Sequence, residues 1–557
     1  SGGSSSNHDV LIAGGGLAGL TLALQLRDAM PDLDVRVVER RAHPAPEATH
    51  KIGESSVEIG AHYFADVLGL REHLDARHLR KFGFRFFFSE GERDLGGVTE
   101  LGASHYLTTP SWQIDRGIFE NFLGEEAVRR GARFDTGASV KRIALDPSGH
   151  RVEIEKDGKR ETITARWLID ASGRASLLKR KLDLAEDNAH DANAVWFRLS
   201  GRLEIDNWVD DPAWRARCSP PARWLSTNHM CGEGYWLWLI PLGSGAHSVG
   251  IVADATTHPL STMNTFEKAM AWIATYQPAV HDAITHMVAT KPDALMDFAY
   301  FKDFSYGCKQ VFSHERWALT GEAGMFLDPF YSPGSDFIAI GNTFITDLIR
   351  SDRAGEAIRV PAFFYGELFR SFYESTLTLY QDQYVLFGNA RVMPVKVLWD
   401  YTYYWGVLCQ LVFQNRLADR EAIIALGEPL QRARHLNERM QALMRAWGEA
   451  TDPKRRGDAD IDAGSSARAA RTREAAHNGV MLDQASLPWF AELNRGLSDK
   501  LDDAQFHARV VANVAQLEVL AEDIVAMATR DAPELAESTG GDVDPPHDAT
   551  LLFGMAA

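Results

Sequence analysis

No two cysteines in this chain are spaced to hold a metal or to cycle a disulfide. The four, Cys218, Cys231, Cys308 and Cys409, are scattered, and none forms a C-x-x-C pair. Neither a zinc site nor a disulfide framework is indicated, and a reducing, cytoplasmic setting is the default expectation. Long apolar runs are missing too. A membrane span needs about 18 such residues; the nearest stretch, Tyr403 to Phe413, is short, contains Gln410 and reads as a buried helix. Basic residues are outnumbered, 58 Lys and Arg against 76 Asp and Glu, a net charge of −18. That balance argues against nonspecific nucleic-acid binding. No internal repeat is visible. The chain does have ordinary globular proportions, with 45% hydrophobic and 24% charged residues over 557 positions. Length alone suggests roughly two to four domains.

The stretch that organises the rest runs from Asp9 to Leu26. Val10 to Ala13 reads as a buried strand, followed by a glycine turn and an apolar helix. Gly14, Gly16 and Gly19 fit G-x-G-x-x-G. The first permits a tight turn, the second lets a diphosphate approach the backbone, and the third lets helix and strand pack closely. Leu17 and Ala18 open the helix, whose free N–H groups face the phosphates. A second strand, Val35 to Val38, ends in Glu39 and Arg40, where a ribose hydroxyl needs an acceptor. The pattern predicts a dinucleotide site.

Farther along, Arg80 to Phe88 alternates like a strand, with Phe82, Phe84, Phe86 and Phe88 on one face. Lys81, Gly83, Arg85 and Phe87 then share the other, so Lys81 is expected to point away from the aromatic face. An amphipathic helix opens at Arg116 within Gln113-Ile114-Asp115-Arg116. Strands near Arg133, Val140, Val152 and Thr162 read together as a β-meander. Arg166 to Gly173 returns as a buried strand. Three alternating strands, Val195 to Leu203, Tyr235 to Ile240 and His247 to Ala253, suggest a separate antiparallel sheet. One helix is expected over Asn264 to Ala289 and another over Asp336 to Arg350. From Val360 to Trp447 the pattern is helical and aromatic-rich, able to cover a planar substrate or to form core. Asp452 to Glu474 reads as an exposed linker. Asp531 to the end carries six acids and no Lys or Arg, and reads as a solvated tail.

Four separated segments resemble the flavin-dependent halogenases within the larger group of FAD monooxygenases. The likeness covers roughly residues 8 to 350. Trp236, Trp238, Ile240 and Pro241 match the pattern W-x-W-x-I-P. Phe326, Pro329, Ser332 and Gly334 match F-x-x-P-x-x-S-x-G. Lys81, Gly83 and Phe86 match K-x-G-x-x-F. The fourth group is flavin-binding: Lys51, Gly53, Glu54 and Ser55 resemble the strap beside the isoalloxazine, and Arg116 resembles a phosphate-side or ribityl-side arginine. Asp170 and Gly173 stand where hydroxylases carry D-G, and Gly321-Glu322-Ala323-Gly324 resembles G-D-A-G with Glu322 in place of Asp.

The resemblance implies an α/β protein: a Rossmann-like FAD-binding domain of the FAD monooxygenase type, an antiparallel substrate-domain sheet, and an all-helical C-terminal region. The expected divisions are a cloning scar over 1–7, an FAD-binding domain over 8–190 and 306–352, a substrate-facing sheet and helix over 191–305, helices over 353–530, and an acidic tail over 531–557. It also implies FAD, used as FADH2 from a separate NAD(P)H-flavin reductase, and chloride or bromide oxidised to hypohalous acid. Trp236, Trp238, Ile240 and Pro241 would wall substrate away from the flavin. Lys81 would hydrogen-bond the oxidant or form a haloamine with it. Asp328 and Pro329 would sit at the isoalloxazine beside Ser332. Pro333 lacks an N–H, so halide would rely on Gly334 and Ser335. Tyr331 stands where tryptophan halogenases carry glutamate, which disfavours free tryptophan and leaves phenolic or pyrrolic substrates, free or carrier-tethered. A bacterial cytoplasm is the expected location. An FAD aromatic hydroxylase is the alternative, and a non-catalytic flavin-binding partner a third class.

Overall fold

Strands buried on both faces have no need of polar alternation, and Val10 to Ala13 and Val35 to Val38 show the result. The computed structural model describes residues 6–47, 51–451 and 476–539. These fall into two units, each built from discontinuous segments: 1–78, 114–189 and 304–374 in the first, and 79–113, 190–303 and 375–557 in the second.

In the first unit the strands Ser6–Ala13, Val35–Glu39 and Arg133–Thr136 run parallel. The long strand Lys159–Asp170 lies parallel to Ser6–Ala13 on its other side, with Ala13 opposite Asp170. Trp317–Leu319 pairs parallel with its last residues, Leu319 opposite Asp170. Its first half pairs antiparallel with His150–Lys156, which continues to Ala138–Ala144. The expected meander therefore has three strands. Arg133–Thr136 belongs instead to the parallel layer, because Phe134 is the neighbour of Val37. Ser6 and Asn7 are not a detached scar either. They extend the first strand opposite Ile163 and Thr164, and the Ser6 hydroxyl is held by Arg36 and Glu161. Helices Leu17–Ala29, Arg116–Arg129 and Gly334–Arg353 belong to this unit.

In the second unit an eight-stranded sheet has the order Leu295–Phe301, Ala192–Leu199, His247–Asp254, Tyr235–Pro241, Thr227–Gly232, Phe84–Phe88, Glu100–Gly102, Met481–Asp483. The first five strands are antiparallel, but Thr227–Gly232 pairs parallel with Phe84–Phe88, and Met481–Asp483 parallel with Glu100–Gly102. The sheet is mixed, not antiparallel, because segment 79–113 joins it from outside the expected 191–305. For the same reason the C-terminal region is not all helical: Met481–Asp483 is a strand of this sheet. The helices do not all follow 353–530 either, since 353–374 falls in the first unit. Alternation divides the sheet's faces. Phe87, Met230, Tyr235, Leu237, Leu239, Val249 and Ile251 enter one core cluster, closed by Phe266–Tyr276 and Pro278–Thr290. Those two helices replace the single one expected, since Pro278 cannot continue a helix and Gln277 before it is extended at φ −137°. The linker expected at 452–474 and the tail beyond 539 lie outside the described residues; 531–539 is helical at Ala536–Thr539.

Candidate functional site

Parallel strands deliver their carboxyl ends to one edge, and in open α/β sheets ligands bind there. In the first unit, Ala13, Asp170 and Leu319 end side by side, and three turns follow. Gly14 has φ +119°, and a Cβ there would fall 2.0 Å from the Ala171 carbonyl oxygen. A Cβ on Gly19 would fall 2.0 Å from the Gly14 carbonyl oxygen. Only glycine allows this closeness. Gly16 is different: a Cβ there would meet side-chain tips, Glu120 Oε1 at 3.3 Å and Lys51 Nζ at 3.9 Å. Ala18 lies beneath Gly321, whose turn is left-handed at φ +63°.

Around Gly16 the structure gathers Leu17, Lys51, Gly53 and Arg116. Lys51 donates to both carboxylate oxygens of Glu120 at 2.7 Å. Arg116 reaches Glu120 at 3.3 Å and the carbonyl of Ile52 at 2.9 Å. Leu17 N–H donates to Glu120 Oε1 at 2.9 Å. Glu120 is buried. Burial alone raises a carboxyl pKa, but Arg116, Lys51 and the Leu17 N–H outweigh it and hold Glu120 below its ordinary value. Burial pushes Lys51 down, with Glu120 opposing. Two cations, a helix N-terminus and a bare glycine backbone suit a diphosphate, so these residues fit the FAD that the fold implies. Glu120 was not foreseen. Its signal was available, four residues after Arg116 on one helix face.

The remaining residues expected at the flavin are placed as follows. Glu39 accepts N–H groups of Gly15 at 2.7 Å and Arg41 at 2.9 Å, and Arg40 is exposed beside it. Glu54 and Ser55 are buried, and the Glu54 carbonyl accepts from Ile114 N–H at 2.7 Å. The Asp170 carboxylate takes the N–H groups of Ser172 and Leu178 at 2.9 and 2.8 Å, so it anchors its own turn. The Glu322 side chain pairs with Arg174 at 3.4 Å. Asp328 accepts from Phe330 N–H at 2.8 Å. After Pro329, Tyr331 and Ser332 are both left-handed, φ +65° and +51°, a conformation non-glycine residues rarely hold. Ser332 N–H bonds the Pro329 carbonyl at 3.0 Å, and Pro333 caps the helix that Gly334 and Ser335 open. Nothing lies within 4 Å of a Cβ placed on Gly334, whereas Ser335 is buried against Gly60. The aromatic run after Val360 divides: Tyr365 and Phe369 are core, and Phe363 is exposed. With Met325 and Tyr373, Phe363 and Phe369 border a 580 Å³ cavity of this unit.

The second unit carries the other motifs. Lys81 is not on a continuous strand. Leu79–Arg80 stops, Gly83 turns at φ +64°, and Phe84–Phe88 begins anew. The alternation is thereby reset. Lys81 does not point away from the aromatic face: it is 3% exposed, its backbone N–H donates to the Ser111 carbonyl at 2.9 Å, and its ammonium lies 3.5 Å from the centre of the Phe84 ring. Phe84 and Phe86 flank His229, at ring distances of 5.3 and 4.4 Å, and His229 lies 5.2 Å from Trp236. Trp236 and Trp238 are neighbours at 5.7 Å on the same face, as their spacing predicts, with Ile240 and Pro241 buried beyond them. Trp238 lies across Gly250 of the next strand, where a Cβ would come 2.1 Å from the indole. Trp236 Nε1 donates to Tyr384 Oη at 3.2 Å, and Trp238 Nε1 to Ser248 Oγ at 3.0 Å. Tyr401 reaches Phe84 at 5.7 Å.

His229 was missed, along with its strand Thr227–Gly232, which has no apolar alternation to read. Its Nδ1 lies 3.1 Å from the Arg85 carbonyl, which can only accept, so Nδ1 carries the hydrogen. Burial, with Lys81's charge adding to it, brings its pKa down to about 3, and the imidazole is neutral. The site thus sets one buried lysine among neutral rings. Among the described residues no group of His, Cys, Asp or Glu could hold a metal, and no helix is long and apolar enough to cross a membrane.

Comparison with known proteins agrees with this architecture. Residues 7–239 match a family model described as an FAD binding domain. Flavin-dependent halogenase chlA of Dictyostelium discoideum is 26% identical over 469 residues, covering 76% of each chain. The 1H-pyrrole-2-carbonyl-(peptidyl-carrier protein) chlorinase of Pseudomonas fluorescens is 27% identical over 352 residues, 59% of this chain and 73% of that one. Among solved structures, halogenase PltM in complex with phloroglucinol and FAD is similar in fold, with TM-score 0.62 at 18% identity over 92% of this chain and 96% of that one.

Proposed function

We propose that this chain is a flavin-dependent halogenase that acts on an electron-rich phenolic or pyrrolic ring at Lys81, a reading supported by its match to an FAD binding domain and its similarity to a flavin-dependent halogenase. Bound FAD, reduced by a separate reductase, supplies the oxygen chemistry that converts chloride or bromide to hypohalous acid. The chain's own residues do the rest. Gly334 and Ser335 offer halide the N–H groups of a helix N-terminus beside Ser332. By their resemblance to the family's W-x-W-x-I-P pattern, the buried Trp236, Trp238, Ile240 and Pro241 would keep a bulky ring from the flavin. Lys81, held against Phe84, donates a hydrogen bond to the small neutral oxidant and directs its halogen to the substrate. The single observation that carries this reading is Lys81 itself: a lysine 3% exposed, its ammonium against the Phe84 ring, which packs through His229 on Trp236. Tyr331 in the serine motif favours phenols and pyrroles over free tryptophan. The similarity to a chlorinase named for a carrier-bound pyrrole supports testing tethered substrates as well.

The test supplies FAD, a flavin reductase, NADH, bromide or chloride and a panel of phenols and pyrroles, free and carrier-bound, with products weighed by mass spectrometry. Monohalogenated products are expected. Products that gain oxygen and no halogen would establish a hydroxylase instead.

A further inference from the structure

The corner that should receive the FAD diphosphate already contains an anion. Glu120 Oε1 accepts the Leu17 N–H at 2.9 Å, at the first turn of the helix Leu17–Ala29. The same carboxylate is clamped by Lys51 at 2.7 Å and touched by Arg116 at 3.3 Å. It lies 3.3 Å from where a Cβ on Gly16 would be, which is the space the second glycine of the fingerprint leaves open. A phosphate approaching Gly16 would therefore meet a carboxylate at contact distance. In a buried site two such anions repel strongly.

We propose that Glu120 is a built-in competitor of the FAD diphosphate: it neutralises the cationic corner in the flavin-free chain and must yield that corner when FAD enters. The charges support the exchange. Lys51 and Arg116 supply two positive charges, Glu120 cancels one, and a diphosphate brings two negative ones. Without Glu120 two cations would face each other across a bare helix N-terminus. With it, a phosphate that takes the Leu17 N–H takes it from the carboxylate, and one that draws Lys51 or Arg116 toward itself draws them from Glu120. FAD is then held more weakly than the cations alone would allow, and it exchanges readily, as an enzyme that receives its flavin reduced elsewhere requires. The competition rests on the FAD-binding fold, and its use for flavin exchange rests on the separate reductase of the proposed function.

Glu120→Gln keeps size and removes the charge. Titration of FAD by fluorescence quenching is expected to show at least about tenfold tighter binding than the parent, with slower release. ADP, which shares the diphosphate, should tighten as well, and riboflavin, which lacks it, should not. Melting adds an independent readout. Flavin-free Glu120→Gln should melt below the parent, because Lys51 and Arg116 lose their counter-ion, and FAD should raise its midpoint by more than it raises the parent's. Weaker or unchanged FAD binding overturns the proposal, as does a rise shared by riboflavin. Should Glu120→Gln not fold, Glu120→Asp keeps the charge but falls short of the Leu17 N–H; tighter FAD and ADP binding supports the competitor, and unchanged binding overturns it. Failure of the parent to bind FAD at all would instead defeat the flavoprotein reading.

Discussion

The corner at Gly16, where the buried Glu120 meets the half-buried Lys51 and Arg116, and the buried lysine cluster manage charge in different ways. At Gly16 two cations meet a carboxylate, and each charge has a counter-charge within 3.3 Å. Beside Lys81 the Phe84 ring lies 3.5 Å from the ammonium, and Phe84 packs in turn on His229, kept neutral, which packs on Trp236. The first arrangement keeps one cation when the other is lost, but both cations share the single carboxylate of Glu120.

The largest expected break in that comparison is Lys81→Ala. Halogenation should fall by at least about a hundredfold, while flavin-dependent NADH consumption continues, read by product mass and by absorbance. A variant that halogenates near the parent rate would remove Lys81 from the chemistry. Next come two glycines, one in each region. Gly14→Ala adds a Cβ 2.0 Å from a backbone carbonyl at φ +119°, and Gly250→Ala adds one 2.1 Å from the Trp238 indole. Each should cost about 3 kcal/mol in denaturant unfolding. Gly16→Ala, facing only side-chain tips, should cost less than either in stability and show its effect in FAD affinity. Equal losses at all three would erase the distinction between rigid and yielding neighbours.

Buried histidines sharpen the electrostatic contrast. His78 and His247 each accept a backbone N–H on Nδ1, from Asp115 at 3.2 Å and Leu203 at 3.1 Å, and burial brings both to about 3. Protonation would turn those acceptors into donors facing donors. Their folded pKa values lie below the unfolded value, so below about pH 6.5 the unfolded chain binds protons that the folded chain does not. Stability should therefore decline as pH falls from 6.5 toward 4, by up to about 1.4 kcal/mol per pH unit for each. Denaturation at pH 7.5, 6 and 5 measures this, and a His247→Asn variant should show a shallower slope. The smallest effect is Tyr384→Phe. It strips the partner from Trp236 Nε1 and should cost about 1 kcal/mol, with the indole's fluorescence reporting the change.

How much of this was legible in the sequence depended on how local its cause was. The glycine turn was readable because each glycine answers to its own backbone and nearest neighbours. Trp236 and Trp238 were assigned to one face correctly, since a strand's period of two holds over three residues. The same rule failed one motif away: Gly83's left-handed φ resets the alternation and swings Lys81 onto the aromatic side. The strand Thr227–Gly232 escaped because a strand buried on both faces, with Asn228 and His229 hydrogen-bonded inside, shows no apolar period. Segment 79–113 gave no local sign that its partners lay more than a hundred residues ahead. Glu120 was within reach, as the residue one helical turn past Arg116, but its role depends on Lys51, 69 residues earlier.

The short strand Met481–Asp483 has a practical meaning for anyone who trims this chain. It covers the outer edge of Glu100–Gly102, whose Glu100 is buried and paired with Arg223. A truncation ending before residue 476 would uncover that edge and leave its N–H and C=O groups ready to recruit the same strand from another molecule. Shortened versions should therefore be judged first by whether they stay dispersed on gel filtration, since a loss of turnover in an aggregating fragment would say nothing about the chemistry of Lys81.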